Sequence, residues 1–274
     1  MRLRACTLLV CLATAAGPAA QSTSFDVASV KINRSGGMTS RIASPRGTGR
    51  FDVTNALLYT LILNAYGLQD FQMAGGPSWI RTTRFDIVAR SSASATREQI
   101  ATMLQALLAD RFRLVAHREP REMPTYALVL ARSDGRPGPQ LVPSTTDCAA
   151  VIRPGAAGPP PTSPTGQTLC GTTMTPALLN AGNMSMDRLA TTLSGIVGRM
   201  VKDETGLAGL YDLQLAFTPE SSGGPSAPGP QPPLDPNAPS VFAALIEQLG
   251  LKLEPRRAPV DVLVIDRVEM PQED

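Results

Sequence analysis

TREQIATMLQALLADRFRLVAHREPREMPTYALVLA, residues 96–131, decides the fold class, because it holds one amphipathic helix followed by strand-forming residues. Thr96 stands where a helix needs a capping oxygen, with Glu98 and Gln99 in the first turn. Ile100, Met103, Leu104, Leu107 and Leu108 recur at i, i+3, i+4, i+7 and i+8, which places a single apolar stripe on a helix running to Ala109. Phe112 to Ala116 and Tyr126 to Ala131 then read as two strands. A helix with one stripe must bury it against a neighbour, and the strands that follow supply a sheet.

The same order recurs along the chain. Ahead of it lie strand-like runs at Phe25 to Ile32 and Arg50 to Val53. A first unit has a helix over Ala56 to Tyr66, a strand near Phe71 to Met73, a turn at Gly75-Gly76-Pro77 and a strand over Phe85 to Ala89. Residues 96–131 are the second. A third has Met186 to Val197, Met200 to Lys202, and Tyr211 to Phe217 with period-2 alternation. The fourth has a helix over Val241 to Leu249, with Leu245, Ile246 and Leu249 as its stripe, then strands at Gly250 to Glu254 and Val260 to Val268. The expectation is an α+β fold of four repeated helix-strand-strand units, mainly antiparallel sheet with helices packed on it, in two lobes.

Two Pro/Gly-rich stretches, Gly135 to Gly166 and Pro219 to Pro239, hold neither a helix nor a central strand in this reading. The expected division is therefore a signal peptide at 1–20, a first lobe at 21–135, a linker at 136–180, and a second lobe at 181–274 carrying a Pro-rich insertion at 219–239. Arg2 and Arg4 precede an apolar run from Ala5 to Ala16 that ends in Gly17-Pro18-Ala19-Ala20, the pattern of a secretory signal cleaved near Ala19-Ala20. That run is shorter than the ~20 residues needed to span a bilayer, so the mature chain is expected to have no membrane span and to be periplasmic or secreted. Val10 before Cys11 argues against a lipid anchor, which wants a small residue there.

Cleavage removes Arg2 and Arg4 from 25 basic residues, leaving 23 against 23 acidic ones. A chain without basic excess is not expected to track nucleic acid. Cys148 and Cys170 remain as a pair for a disulfide in an oxidising compartment. Neither a metal nor a cofactor is expected, since the single histidine and two cysteines fall short of a ligand set.

Catalytic motifs are incomplete. Gly76-Pro77-Ser78-Trp79-Ile80 matches half of a nucleophile elbow, and Gly47-Thr48-Gly49 reads as a hairpin turn because a strand, not a helix, follows. His117 sits in a strand-like run, sharing a face with Glu119. Trp79, the only tryptophan, follows the glycine turn and precedes Arg81 and Arg84; its side chain fits either the core under the turn or an aromatic contact surface. The candidate binding residues are Trp79, Arg81, His117 and Glu119, and no catalytic residue is assigned.

Ala65-Tyr66-Gly67-Leu68, Gly75 to Trp79, Arg84 to Ile87, Met103 to Phe112, His117-Arg118-Glu119, Asp203 to Asp212 and Glu247 to Leu253 appear in this order. Together, over about residues 24 to 271, they resemble a soil-associated family of uncharacterised exported proteins multiplied in Solibacter and other Acidobacteria. Similar domains occur fused to membrane metallopeptidases of the penicillin-sensor type, but the zinc-binding helix of such a peptidase is not found in this sequence. The resemblance implies location and fold and brings no catalytic residues. The helix-then-strand units also look like the short periplasmic domains of secretins and TonB-dependent receptors, an analogy of fold alone.

The expected function is a non-catalytic binding or adaptor protein for an envelope protein or small ligand. The alternatives are an enzyme using His117 and a structural envelope protein.

Overall fold

The computed structural model describes residues 24–37, 39–44, 48–91, 95–152, 160–218 and 238–272. The expected signal peptide and nearly all of the 219–239 insertion lie outside these residues, as does Gly47.

The protein is α+β and is built twice on one plan. The first half comprises β1 (Val27–Ile32), β2 (Arg41–Ala43), β3 (Arg50–Leu57), α1 (Leu58–Tyr66), β4 (Met73–Gly75), β5 (Arg84–Arg90), α2 (Arg97–Arg111) and β6 (Val115–Leu130). The second comprises β7 (Leu141–Pro143), α3 (Cys148–Val151), β8 (Gly171–Thr175), β9 (Leu178–Met184), α4 (Met186–Val197), β10 (Val201–Asp203), β11 (Tyr211–Ala216), α5 (Val241–Ala244) and β12 (Leu251–Arg267). The first-half sheet has the order β1-β5-β3-β2 and the second-half sheet the matching order β7-β11-β9-β8, with every neighbouring pair antiparallel. The shared sheet, β10-β6-β12-β4, is made by exchange: β6 runs parallel to β10 of the other half, and β12 parallel to β4.

Local chemistry explains the repeated corners. Asn55 and Asn183 adopt left-handed φ values of 57° and 58°, which Asn tolerates better than most residues, at the bends that turn β3 into α1 and β9 into α4. Thr96 and Gln99 form a capping box on α2, and Ser185 caps α4 by accepting the Arg188 N–H. Gly67 and Gly198, both at φ 63°, end α1 and α4.

The strands β6 and β12 pair from Leu130↔Leu251 to Val115↔Arg267 as one long ribbon. This corrects the reading of Phe112 to Ala116 with Tyr126 to Ala131, and of Gly250 to Glu254 with Val260 to Val268, as separate strands. Prolines at 120, 124, 255 and 259 argued for breaks. Tyr126 donates its N–H outward, to Met200 O at 2.8 Å. Pro120 and Pro124 share its parity, and Pro255 and Pro259 oppose residues of that parity, Tyr126 and Glu122. All four prolines therefore occupy positions whose N–H would face away from the partner strand, where a missing donor costs no ladder bond and blunts the edge against strand addition.

Two apolar cores lie at the ends of this ribbon, and they do not divide at residues 135 and 181. The first unites Phe51, Leu61, Ile62, Phe85, Leu104, Leu108 and Phe112 with Leu263 and Ile265 from the far end of the chain. The second unites Leu179, Leu189, Leu193, Leu213, Leu215, Leu245 and Leu249 with Leu128 from β6. Leu245–Leu249 is a π-helical turn, closed by the Gly250 N–H on Leu245 O. It keeps Leu245 and Leu249 buried but leaves Ile246, read as part of the same stripe, exposed.

The segment 136–180 carries β7, α3 and β8 and is tied by the Cys148–Cys170 disulfide, Cα atoms 5.7 Å apart. Its residues 160–170 lie over the outer face of the second-half sheet. Asn180 on β9 grips them by accepting the Thr168 N–H and donating to Gly166 O, both at 3.0 Å. Gln167 donates to Ala181 O and Leu213 O, and the Thr168 and Thr173 hydroxyls are 3.2 Å apart. Gly182 is needed for this approach, since a Cβ there would stand 2.1 Å from Thr168 O.

Candidate functional site

His117 lies on β6 with its side chain about half exposed, and both its Nδ1 contacts are to Asp266, at 2.9 Å from each carboxylate oxygen. Asp266 arrives there because β12 bulges between Ile265 and Arg267, adding a residue opposite the Val115–Ala116 step. Nε2 faces Glu119 at 3.8 Å, and Glu119 pairs in turn with Arg121. The Asp266 hydrogen bond and charge, followed by the Glu119 charge, raise the His117 pKa above its ordinary value. Arg121, and after it His117, holds the Glu119 carboxyl below its own.

The second half repeats this cluster on β12. Lys252 Nζ is 2.9 Å from Glu254, and Arg256 is 2.6 Å from the other oxygen of the same carboxylate. Lys252 is the main cause, ahead of Arg256, of the lowered Glu254 pKa. The sequence signal is a repeated E-P-R-x-x-P, Glu119 to Pro124 and Glu254 to Pro259, which the sequence reading did not use.

Trp79 and Arg81 belong to the turn Ser78–Arg81 after Gly75 and Gly76. Trp79 is partly buried on the first core, edge-on to Phe85 with ring centroids 6.4 Å apart. Arg81 lies 3.5 Å over the Tyr59 ring and 3.9 Å from Asp70. Burial, then the neighbouring Asp70, pushes the Tyr59 phenol up to about 12, and its hydroxyl donates to Asp70 O. Among the described residues no hydrogen bond, ion pair or ring contact joins Trp79 or Arg81 to His117 or Glu119, so the four sequence candidates form two separate clusters. Nor is any group of three or more His, Cys, Asp or Glu arranged there to hold a metal ion.

The outer face of the first-half sheet was missed by sequence reasoning. Cross-strand register lines up Ser29, Val88, Asp52 and Ala43 in one row. Arg90 and Arg50 flank this row on one side, and Lys31 and Arg41 on the other. Matching the two sheets by register puts Asp52 where Asn180 stands, Ala43 where Thr173 stands and Thr54 where Gly182 stands. Thr54 is exposed whereas Gly182 is buried under residues 160–170. On the second-half sheet the uncovered end of the matching row, with Gln140 and Gln214, borders a shallow depression of about 290 Å³.

Residues 59–268 match the family DUF3738, described as a protein of unknown function. The chain belongs to the DUF3738 family. The match starts inside α1 and ends after β12, so the DUF3738 region takes in the ribbon and the whole second-half sheet, while β1, β2 and β3 precede it. No curated protein and no solved structure matches the chain.

Proposed function

We propose that this DUF3738 protein is an exported, non-catalytic binding or adaptor protein of the bacterial envelope, of the Acidobacteria-type exported family its motifs resemble. The observation that carries the reading is the contrast between the two matching sheets: residues 160–170 cover the outer face of one, whereas on the other the β1–β2 connection is hydrogen-bonded at one end, to Asp86 and Asn55, and no described loop is hydrogen-bonded over the row Ser29, Val88, Asp52 and Ala43. A flat face offers contact area to a partner without requiring an acid, a base or a nucleophile.

Export is supported by the Arg2 to Ala20 pattern and is compatible with the Cys148–Cys170 bond, since such bonds persist outside the cytoplasm. The surroundings of His117 favour binding over catalysis. Its Nδ1 is held by Asp266, and Nε2, the nitrogen a general base would turn toward a nucleophile, faces the Glu119 carboxylate.

Pull-down from an envelope extract with the intact mature protein tests the reading. Saturable capture of a specific envelope component is the expected result. Turnover in a hydrolase panel that disappears in His117→Ala would overturn it in favour of an enzyme, and bulk association with peptidoglycan would overturn it in favour of a structural protein.

A further inference from the structure

We propose that the outer face of the first-half sheet is a docking surface for an extended acidic peptide segment of a partner protein, crossing the strands along the row Ser29, Val88, Asp52 and Ala43. The inference rests on the binding reading above and gives it a site and a partner chemistry.

The second half shows what this row does when occupied. There Asn180 accepts a backbone N–H from the returning arm, Gln167-Thr168, of the turned loop 160–170, and Thr173 meets the Thr168 hydroxyl. Asp52 stands at the Asn180 position, and its Oδ1 is buried without a hydrogen-bond partner. A buried acceptor left unpaired is costly, by about 1 to 3 kcal/mol in general; the Asp52 side chain is 25% exposed, so a turn of its carboxylate would bring this oxygen to the N–H of a crossing peptide. Thr54, standing where Gly182 admits the loop, keeps such a segment over Asp52 and Ala43 rather than over the neighbouring row.

Charge specifies the rest. Lys31, Arg41 and Arg90 are exposed and form no ion pair among the described residues. The acids of this face are already engaged: Asp52 pairs through Oδ2 with Arg50, and both oxygens of Asp86 accept from Asn33, one of them also from the Asn55 N–H. Val27 is 66% and Val88 46% exposed between the cations. Strands lie about 4.8 Å apart, so crossing the sheet takes about 14 Å, the length of about four extended residues. Side chains of an extended segment alternate sides, so carboxylates at successive positions reach Arg90 on one flank and Lys31 and Arg41 on the other. A phosphate-bearing lipid or polymer satisfies the cations equally well but brings no N–H to Asp52 and sets its anion against that carboxylate. The peptide is therefore the occupant the face fits.

The test uses the mature protein and a fluorescein-labelled peptide of four consecutive glutamates flanked by threonines, read by anisotropy, with the same peptide carrying glutamines in place of the glutamates as control. The expected result is saturable binding of the acidic peptide alone, weakening with salt. The exposed pair Lys31→Glu and Arg90→Glu should weaken it by about tenfold or more. Asp52→Ala should weaken it while Asp52→Asn, which keeps the acceptor, retains it. Near-ultraviolet circular dichroism of each variant establishes that it is folded.

Equal binding by the Lys31→Glu/Arg90→Glu variant, or no binding at low salt, would overturn the proposal. So would sedimentation with phosphatidylglycerol vesicles in place of peptide binding, which would assign the face to lipid. If that variant captures the same envelope component as the native protein, this face is excluded while the binding reading stands; if neither captures anything, the reading itself fails.

Discussion

The backbone N–H of Asn183 donates to the Asp212 carboxylate at 2.9 Å, and the first half repeats the contact between Asn55 and Asp86 at 2.8 Å. In each half the acceptor comes from the strand paired with the bend, β11 or β5, and holds a left-handed asparagine just before the helix.

Removing either carboxylate leaves a bend N–H without its acceptor. Asp212→Ala should lower stability by about 1 to 3 kcal/mol in urea unfolding. Asp86→Ala should cost more, because Asp86 also holds the Asn33 side chain against the first-half sheet. Equal, negligible effects of the two would contradict the assigned role.

His117 is the only histidine, so one imidazole resonance reports its titration. Its pKa should lie above the ordinary value of about 6.5, because Asp266 and then Glu119 favour the charged ring. Asp266→Asn should bring it down. With the folded value raised, this interaction's contribution to stability is fully present below the unfolded pKa and is lost as pH rises through the folded one. A titration at or below the ordinary value would contradict the Asp266 contact.

The loop at 160–170 depends on both its cross-link and its glycine seat. Closing a loop with the 22-residue separation of Cys148 and Cys170 is worth about 3 kcal/mol in the chain-entropy account. Replacing both cysteines by serine should therefore raise hydrogen exchange at the Thr168 amide far more than at β3 or β5. Gly182→Ala should do the same with the disulfide intact, since the added Cβ falls within 2.4 Å of both Thr168 O and Leu169 O. Unchanged exchange at Thr168 in either variant would count against the grip of Asn180.

Trp79 should emit at shorter wavelength than free indole and be partly protected from acrylamide, as its edge-on contact with Phe85 requires. Phe85 points into the first core and the proposed peptide row faces the opposite side of the same sheet, so peptide binding should leave the emission unchanged. A red, fully quenchable spectrum would move Trp79 to the contact surface.

Helices were legible in the sequence: Met186–Val197 has the bounds its sequence predicts, and the structure shows Ser185 capping its start and Gly198 ending it. The ribbon was not, because its four prolines look like breaks until the outward direction of their missing N–H groups is known. The fourfold repeat was legible as a rhythm, while the twofold plan was carried by E-P-R-x-x-P and by the paired bends at Asn55 and Asn183. For the site, His117 and Glu119 could be read at i, i+2, but Asp266 could not, since it reaches His117 through a bulge at the far end of the chain. The row Ser29, Val88, Asp52 and Ala43 is invisible in sequence because each residue comes from a different strand, and only register aligns them.

Two copies of one plan exchange their last strands, so that neither stands alone. A protease site engineered within residues 219–237, cut to completion, tests it most directly. Residues 238–272 then carry β12, which pairs with β6 along its length, with β4 on its other edge, and supplies Leu263 and Ile265 to the first core. The nicked fragments should elute from a sizing column as one species in native buffer and separate only in denaturant. Fragments that part in native buffer, with the N-terminal piece still folded, would contradict it.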